Sequence, residues 1–183
     1  LVVDKVISTT QDFVNTFSID SDWVNYSYVA LANDIYANGA QMNHDGILSA
    51  NNTQIAGKEF TGTFDGRGYT IYDLDVTKAT TYGFGGRGGK NAGIFGWLTG
   101  ATIKNVAFIN LKASNSYYLA GRVEKRVKVD NVYIKFAKTG TMPKALAGGY
   151  VTDDRITITN TVVESEAHGL SDTHFLYSEM MSY

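Results

Sequence analysis

Ile103-Lys104-Asn105-Val106-Ala107-Phe108 is the stretch whose reading decides the fold. Variants of it stand at Ile71-Tyr72-Asp73-Leu74-Asp75-Val76, Val129-Asp130-Asn131-Val132-Tyr133-Ile134 and Ile158-Thr159-Asn160-Thr161-Val162-Val163. Each copy runs apolar, any residue, Asn or Asp, usually apolar, any residue, apolar. Their first residues lie 32, 26 and 29 positions apart (71 to 103, 103 to 129, 129 to 158). Self-similarity at a period of roughly 20–50 residues is the signature of a solenoid, in which one repeat cannot bury its apolar side without a neighbour.

The pattern predicts two short strands bent at the central Asn or Asp, residue types that tolerate left-handed backbone angles and bond to nearby main chain. Stacking the copies places Asp73, Asn105, Asn131 and Asn160 in one corner ladder. It places Ile71, Ile103, Val129 and Ile158 in one inward column, and Val76, Phe108, Ile134 and Val163 in another. A second strand precedes three of the copies, at Gly93–Leu98, Tyr118–Val123 and Leu146–Val151. About five coils fit, a core roughly 20–25 Å long at the usual spacing between strands. Ser8 to Phe17 is the one convincing helix, with Ser8 and Gln11 as a capping box and Phe13, Val14 and Phe17 as its apolar stripe. The fold class read from the chain is all-β: a short right-handed parallel β-helix with an N-terminal capping α-helix. It forms one domain over 1–183, with lead-in and cap at 1–25, coils at 26–167 and an end segment at 168–183.

Composition agrees. The chain has 183 residues, 44% of them hydrophobic, with 19 Gly, 12 Tyr, one Pro and no Cys. Abundant Gly, Tyr, Thr and Val favour turns and strands. A formal net charge of −2 and a pI near 5.9 give no basic excess for nucleic acid. The densest basic cluster, Arg122, Lys125, Arg126 and Lys128, reads as a solvated turn between strands. Without cysteine there are neither disulfides nor thiolate metal sites. No stretch approaches the roughly 18 apolar residues of a membrane span. A start at Leu1, with no visible signal peptide, reads as a piece of a longer polypeptide.

Phe60-Thr61-Gly62-Thr63-Phe64-Asp65-Gly66-Arg67-Gly68-Tyr69-Thr70-Ile71, then Gly93-Ile94-Phe95-Gly96 and Ala101-Thr102-Ile103-Lys104-Asn105-Val106, resembles the GLUG-type right-handed parallel β-helix. So does the lead-in, a helix around Asp12-Phe13 followed by Tyr28 to Ile35. The likeness covers about residues 6–165. Arg122 and Thr161 depart from it, standing where small or apolar residues are expected. Such modules occur in large bacterial surface proteins and in phage structural proteins, often after immunoglobulin-like modules. The resemblance implies an extracellular place on a bacterial cell surface or phage virion, adhesion or contact with glycan, and no shared catalytic residues.

Chemistry is sparse beyond this. Gly83-Phe84-Gly85-Gly86-Arg87-Gly88 matches GxGxxG, but the next segment, Gly93–Leu98, reads as strand, so no helix N-terminus awaits a pyrophosphate. The stretch reads as a glycine-rich loop whose Tyr82, Phe84 and Arg87 suit contact with a sugar or a protein. Tyr72 and Tyr133 occupy outward strand positions and suit the same role. Asp153, Asp154 and His168 are the residues an alternative reading would use, a carbohydrate-active β-helix hydrolase or lyase with clustered carboxylates and a histidine. Asp65, Asp73 and Asp75 lie near one another in sequence, as a calcium site would need, though corner capping explains Asp73 more simply. His44, His168 and His174 lack metal-ligand spacing. The expectation is a non-catalytic structural and adhesion module, without metal or cofactor. Its partners would be glycan or protein, neighbouring domains of a longer chain, or further copies in an oligomer or virion.

Overall fold

The computed structural model describes residues 2–18, 23–44, 58–78, 93–114, 117–139, 143, 145–148 and 156–167. Within them run β1 (Lys5–Ile7), α1 (Thr10–Phe17), β2 (Tyr28–Leu31), β3 (Ile35–Tyr36), β4 (Thr63–Asp65), β5 (Thr70–Tyr72) and β6 (Trp97–Thr99). Then come β7 (Thr102–Leu111), β8 (Tyr117–Ala120), β9 (Arg122–Glu124), β10 (Lys128–Phe136), β11 (Ala145–Ala147), β12 (Thr157–Thr159) and β13 (Val162–Glu164). The structure is thus mostly strand, and every strand pair is parallel. The largest sheet has the order β1-β2-β4-β7-β10-β12. Strands β3, β5 and β13 extend its second half alongside β7 and β10, and β6–β9 and β8–β11 form two small sheets. Parallel neighbours ordinarily need a long crossover, usually a helix. Here α1 is the one helix among the described residues, and strands such as β8 and β9 occupy the stretch between β7 and β10.

Two inward columns run through the core. One stacks Val29, Phe64, Ile103, Val129 and Ile158; the other stacks Ile35, Ile71, Phe108, Ile134 and Val163. All are fully or nearly fully buried except Ile158 and Val163 in the last strands, which pack on the core from its margin. Like-on-like stacking of branched and aromatic side chains at the strand spacing lets each layer cover its neighbour. Thr157–Thr159 and Val162–Glu164 continue the register of β10, so the late copy keeps its place despite Thr161.

One expected alignment is corrected. Ile71 belongs with Phe108, not Ile103, and Val76 belongs to neither column. The equivalent of Ile103 is Phe64, so the true separations are 39, 26 and 29 residues (64 to 103, 103 to 129, 129 to 158). The error has a physical cause: two corners in succession share one grammar. Ile71-Tyr72-Asp73-Leu74 repeats Phe108-Ile109-Asn110-Leu111, and Asp73 and Asn110 are both left-handed, at φ 58° and 57°. Asn110 Nδ2 donates to Asp73 Oδ1 at 2.6 Å. Asp73 therefore leaves the ladder predicted for it. Asp65 takes its place: Asn105 Nδ2 donates to Asp65 Oδ1 at 3.1 Å, and Asn131 Nδ2 to Asn105 Oδ1 at 3.0 Å. Asn160 stacks below Asn131, but its amide donates to Asp130 at 2.9 Å. Asn105, Asn131 and Asn160 all adopt positive φ (55°, 54° and 49°) as the pattern requires.

The corner at Asp65 is longer than its successors. Seven positions separate Phe64 from Ile71, where five separate Ile103 from Phe108 (71 − 64 and 108 − 103). The extra two residues form a turn with Arg67 and Gly68 at positive φ. The amides of Gly66 and Gly68 donate to the carbonyls of Lys104 and Asn105 at 2.9 and 2.8 Å. A β-carbon on Gly66 would meet Asn105 O and Val106 Cβ at 2.5 Å, so only glycine lets the turn lie against the next strand.

The helix begins one residue later than the capping box predicts. Thr9 is the N-cap, and its hydroxyl accepts from the Asp12 amide at 3.1 Å. Asp12 puts a carboxylate in the first turn, where the helix dipole favours it, and Lys5 reaches it at 3.7 Å. Phe13 and Phe17 enter the core, with Phe17 edge-on to Phe60, Phe64 and Phe95 at 5.2, 5.3 and 4.9 Å. Val14, the third member of the expected stripe, is only partly buried.

Asn105 joins a left-handed backbone to two ladder bonds. Replacement by Ala loses both bonds and strains φ, so urea denaturation of Asn105→Ala should show a loss of about 2–4 kcal/mol with an unchanged slope. Asn105→Gly relieves φ but not the bonds and should lose roughly half as much. Equal losses in the two variants would show that the backbone angle carries no cost.

Candidate functional site

Alternation along the strands sends three sets of side chains outward. The first lies over β2, β4, β7, β10 and β12, where Asp65, Lys104 and Asp130 occupy successive layers. Tyr28 donates its hydroxyl to Asp65 at 2.6 Å, and Lys104 Nζ lies 3.7 Å from Asp65 and 5.7 Å from the centre of the Tyr28 ring. Burial works to raise the Asp65 pKa. The Tyr28 hydroxyl, the Arg67 amide, Asn105 and Lys104 outweigh it and hold the carboxyl below its ordinary value. Asp130 accepts from the Thr159 hydroxyl at 2.7 Å as well as from Asn160. This surface is committed to its own hydrogen bonds and binds the layers together.

The second set lies over β3, β5, β7, β10 and β13, where Tyr36, Tyr72, Ile109, Lys135 and Glu164 follow one another outward. The rings of Tyr36 and Tyr72 stack with centroids 4.9 Å apart and planes 5° from parallel. Tyr36 is 60% exposed, and among the described residues β3 pairs only with β5. The main chain beneath is fixed: Thr10 Oγ1 donates to Tyr36 O at 3.0 Å, and Asp34 Oδ1 accepts from the Thr70 amide at 2.8 Å. Further along, Tyr133 donates its hydroxyl to Glu164 at 2.8 Å. Lys135 bridges Glu164 and Glu166 at 3.2 and 2.5 Å, and Lys138 reaches Glu166 at 2.9 Å.

The third set belongs to β6 and β9. Arg122 lies 4.8 Å from the centre of the Trp97 ring and pairs with Glu124, while Thr99 stands opposite Glu124. Arg122 is therefore the outward partner of an aromatic ring, which accounts for a charge where a small residue was expected. Trp97 and Thr99 are almost wholly buried, and among the described residues neither the Trp97 indole N–H nor the Thr99 hydroxyl has a hydrogen-bond partner.

Of the residues singled out from sequence, Tyr72 and Tyr133 share the second surface but play different parts. Tyr72 is one half of an aromatic stack, whereas the Tyr133 hydroxyl is held by Glu164. Tyr82, Phe84, Arg87, Asp153, Asp154 and His168 lie outside the described residues. Asp65, Asp73 and Asp75 do not converge; each bonds to its own stack neighbour, Asp75 to Gln41 and to Lys112. Among the described residues no group of three His, Asp or Glu is placed to hold a metal ion, and no helix is long and apolar enough to cross a membrane. The His44 ring is buried and bonds through Nε2 to Gly93 O at 2.9 Å. Tyr36 escaped sequence reading, although the pairing of Ile35-Tyr36 with Ile71-Tyr72 was its signal. No family model, curated protein or solved structure matches the chain.

The charges over β10 and β13 set a pH dependence. The Tyr133 and Lys135 hydrogen bonds hold the Glu164 pKa below its ordinary 4.5, and Lys135 and Lys138 hold Glu166 at about 2. Hydrogen bonds to Glu166 and Glu164 push Lys135 up to about 12. Lowered carboxyl values contribute stability above pH 4.5 that is lost as pH falls toward 2. The raised lysine contributes below its ordinary 10.5 and is lost as pH rises through 12. The amide protection factors at Val162–Glu164, exchange rates taken relative to those of the unstructured chain at the same pH, should therefore fall between pH 4.5 and 2, and Lys135→Met should flatten that response. Protection of β13 that stays constant across this range would refute the role of the pairs.

Proposed function

We propose that the chain is a right-handed parallel β-helix of the GLUG type, serving as a non-catalytic display and adhesion module on a bacterial cell surface or phage virion. The all-parallel pairing supports the coil, as does the sequence of strands, rather than helices, that leads from β7 to β10. The segments that carry the resemblance fall on the parts a coil needs. Phe60–Ile71 supplies β4, a glycine turn and β5, and Asn105 supplies a left-handed corner. A coil of this kind is a rigid post, since every layer is held to the next by backbone bonds, apolar columns and corner amides.

The observation that carries the reading is the stack of Tyr36, 60% exposed, on the half-buried Tyr72 of that rigid ladder. Aromatic side chains offered outward from a fixed backbone lose little conformational entropy on binding, and they are enriched where proteins make contacts. The module would hold this pair, with the outward neighbours Ile109 and Tyr133, against glycan or protein on a target surface. Neighbouring domains of a longer chain, or further copies in an assembly, would supply its anchorage.

The Tyr36→Ala/Tyr72→Ala double variant tests this. Retention of the purified chain on host or bacterial cells should fall at least about ten-fold, the equivalent of about 1.4 kcal/mol, while circular dichroism stays unchanged. Full retention by the double variant would sink the contact reading. An experimental structure in which successive strands do not follow one right-handed path would sink the coil.

A further inference from the structure

We propose that the Tyr36–Tyr72 stack takes a neutral, hydroxyl-rich glycan and turns away acidic ones. This rests on the reading of the outward tyrosines as a contact surface and adds the class of ligand. The first argument is size. A stable protein interface buries about 800 Å² on each partner, whereas one aromatic side chain such as Tyr36 offers at most about 150–250 Å². Beside the two rings stand the half-buried Ile109 and, close in the chain, the carboxylates of Asp34 and Asp73, the latter bonded to Asn110. One sugar ring matches that area, with its C–H face against the exposed Tyr36 ring and its hydroxyls reaching those carboxylates.

Charge supplies the second argument. Asp34 precedes Tyr36 by two positions on the same side of its strand, and Asp73 follows Tyr72 at the corner. Each carboxylate uses Oδ1 within the fold, for the Thr70 amide and for Asn110 Nδ2, which leaves Oδ2 to accept from a ligand hydroxyl. The cations of this part of the molecule pair elsewhere: Lys5 with Asp12, Lys112 with Asp75, and Lys135 with Glu164 and Glu166. A uronate or sialate over the stack would meet two negative charges, while these three lysines are already paired. Repulsion across about 7 Å of water is a factor of about three in affinity for each carboxylate, so about ten-fold for the two at low salt. A neutral sugar meets no such penalty.

Affinity electrophoresis of the full chain through gels holding neutral polysaccharides (a glucan, a galactomannan) or acidic ones (polygalacturonate, hyaluronate) tests the proposal. Retardation in one or more neutral gels is expected. It should be retained by Tyr36→Phe, which keeps the ring, and reduced about ten-fold by Tyr36→Ala. The Asp34→Asn/Asp73→Asn variant keeps both Oδ1 acceptors and should gain about ten-fold in acidic gels at about 0.01 M salt. Near 1 M, where the screening length shrinks from about 30 to about 3 Å, the gain should vanish. Stronger binding of acidic gels by the unmodified chain, still dependent on Tyr36, would overturn the ligand class and leave the contact reading standing. Retardation in neutral gels that Tyr36→Ala leaves untouched would overturn both. No retardation in any gel would overturn the glycan proposal, and cell retention of the double tyrosine variant would then decide the contact reading separately.

Discussion

An amide or carboxylate at a left-handed corner carries two loads at once. Asn105 and Asn131 accept a backbone angle that costs most residues about 1–2 kcal/mol, and the same side chains bond to the layer above. Bend and adhesion between layers therefore come from one group. Each turn of chain must leave the strand direction at the same height in every layer, or the apolar columns fall out of line. The ladder Asp65–Asn105–Asn131 enforces that height, and Asp73–Asn110 does so at the next corner.

Everything else in the described structure depends on the register this sets. The Ile103 and Phe108 columns stay aligned through layers that differ in length, because the surplus chain is placed between corners rather than inside strands. The two extra residues at Gly66–Gly68 show the limit of this tolerance. They fit because Gly66 has no side chain to strike Asn105 and Val106, and because the turn returns its amides to the neighbouring strand. At the N-terminal side, Phe13 and Phe17 bring a helix into a stack of strands by meeting Phe60, Phe64 and Phe95 edge to face, an arrangement that needs no matching of strand to helix.

With the repeats committed to holding layers together, outward positions are free to differ, and the three surfaces have diverged. One is a self-satisfied ladder of Asp65, Lys104 and Asp130. One encloses Trp97 and Arg122. The third leaves Tyr36 open to solvent, stacked on Tyr72, over a backbone pinned by Thr10 and Asp34. A ligand of the kind proposed would meet rings already held in place, which would keep the entropy lost on binding small.

The sequence by itself determined the strand content, the parallel order of the later copies, the left-handed corners and the apolar columns from Ile103 onward. These depend on residue type and spacing along the chain, and the amide at position three of each copy is a local cause with a local effect. Only the tertiary structure decided which corner Asp73 occupies, because two consecutive corners obey the same pattern and only pairing across layers tells them apart. It likewise decided that Thr9 rather than Ser8 caps the helix, since either hydroxyl satisfies the spacing and only one faces the Asp12 amide. The stacking of Tyr36 on Tyr72 was decided in the same way. Tyr36 stands 36 residues before Tyr72 in the chain, and contact between the two rings is a property of the register, which no single stretch of sequence contains.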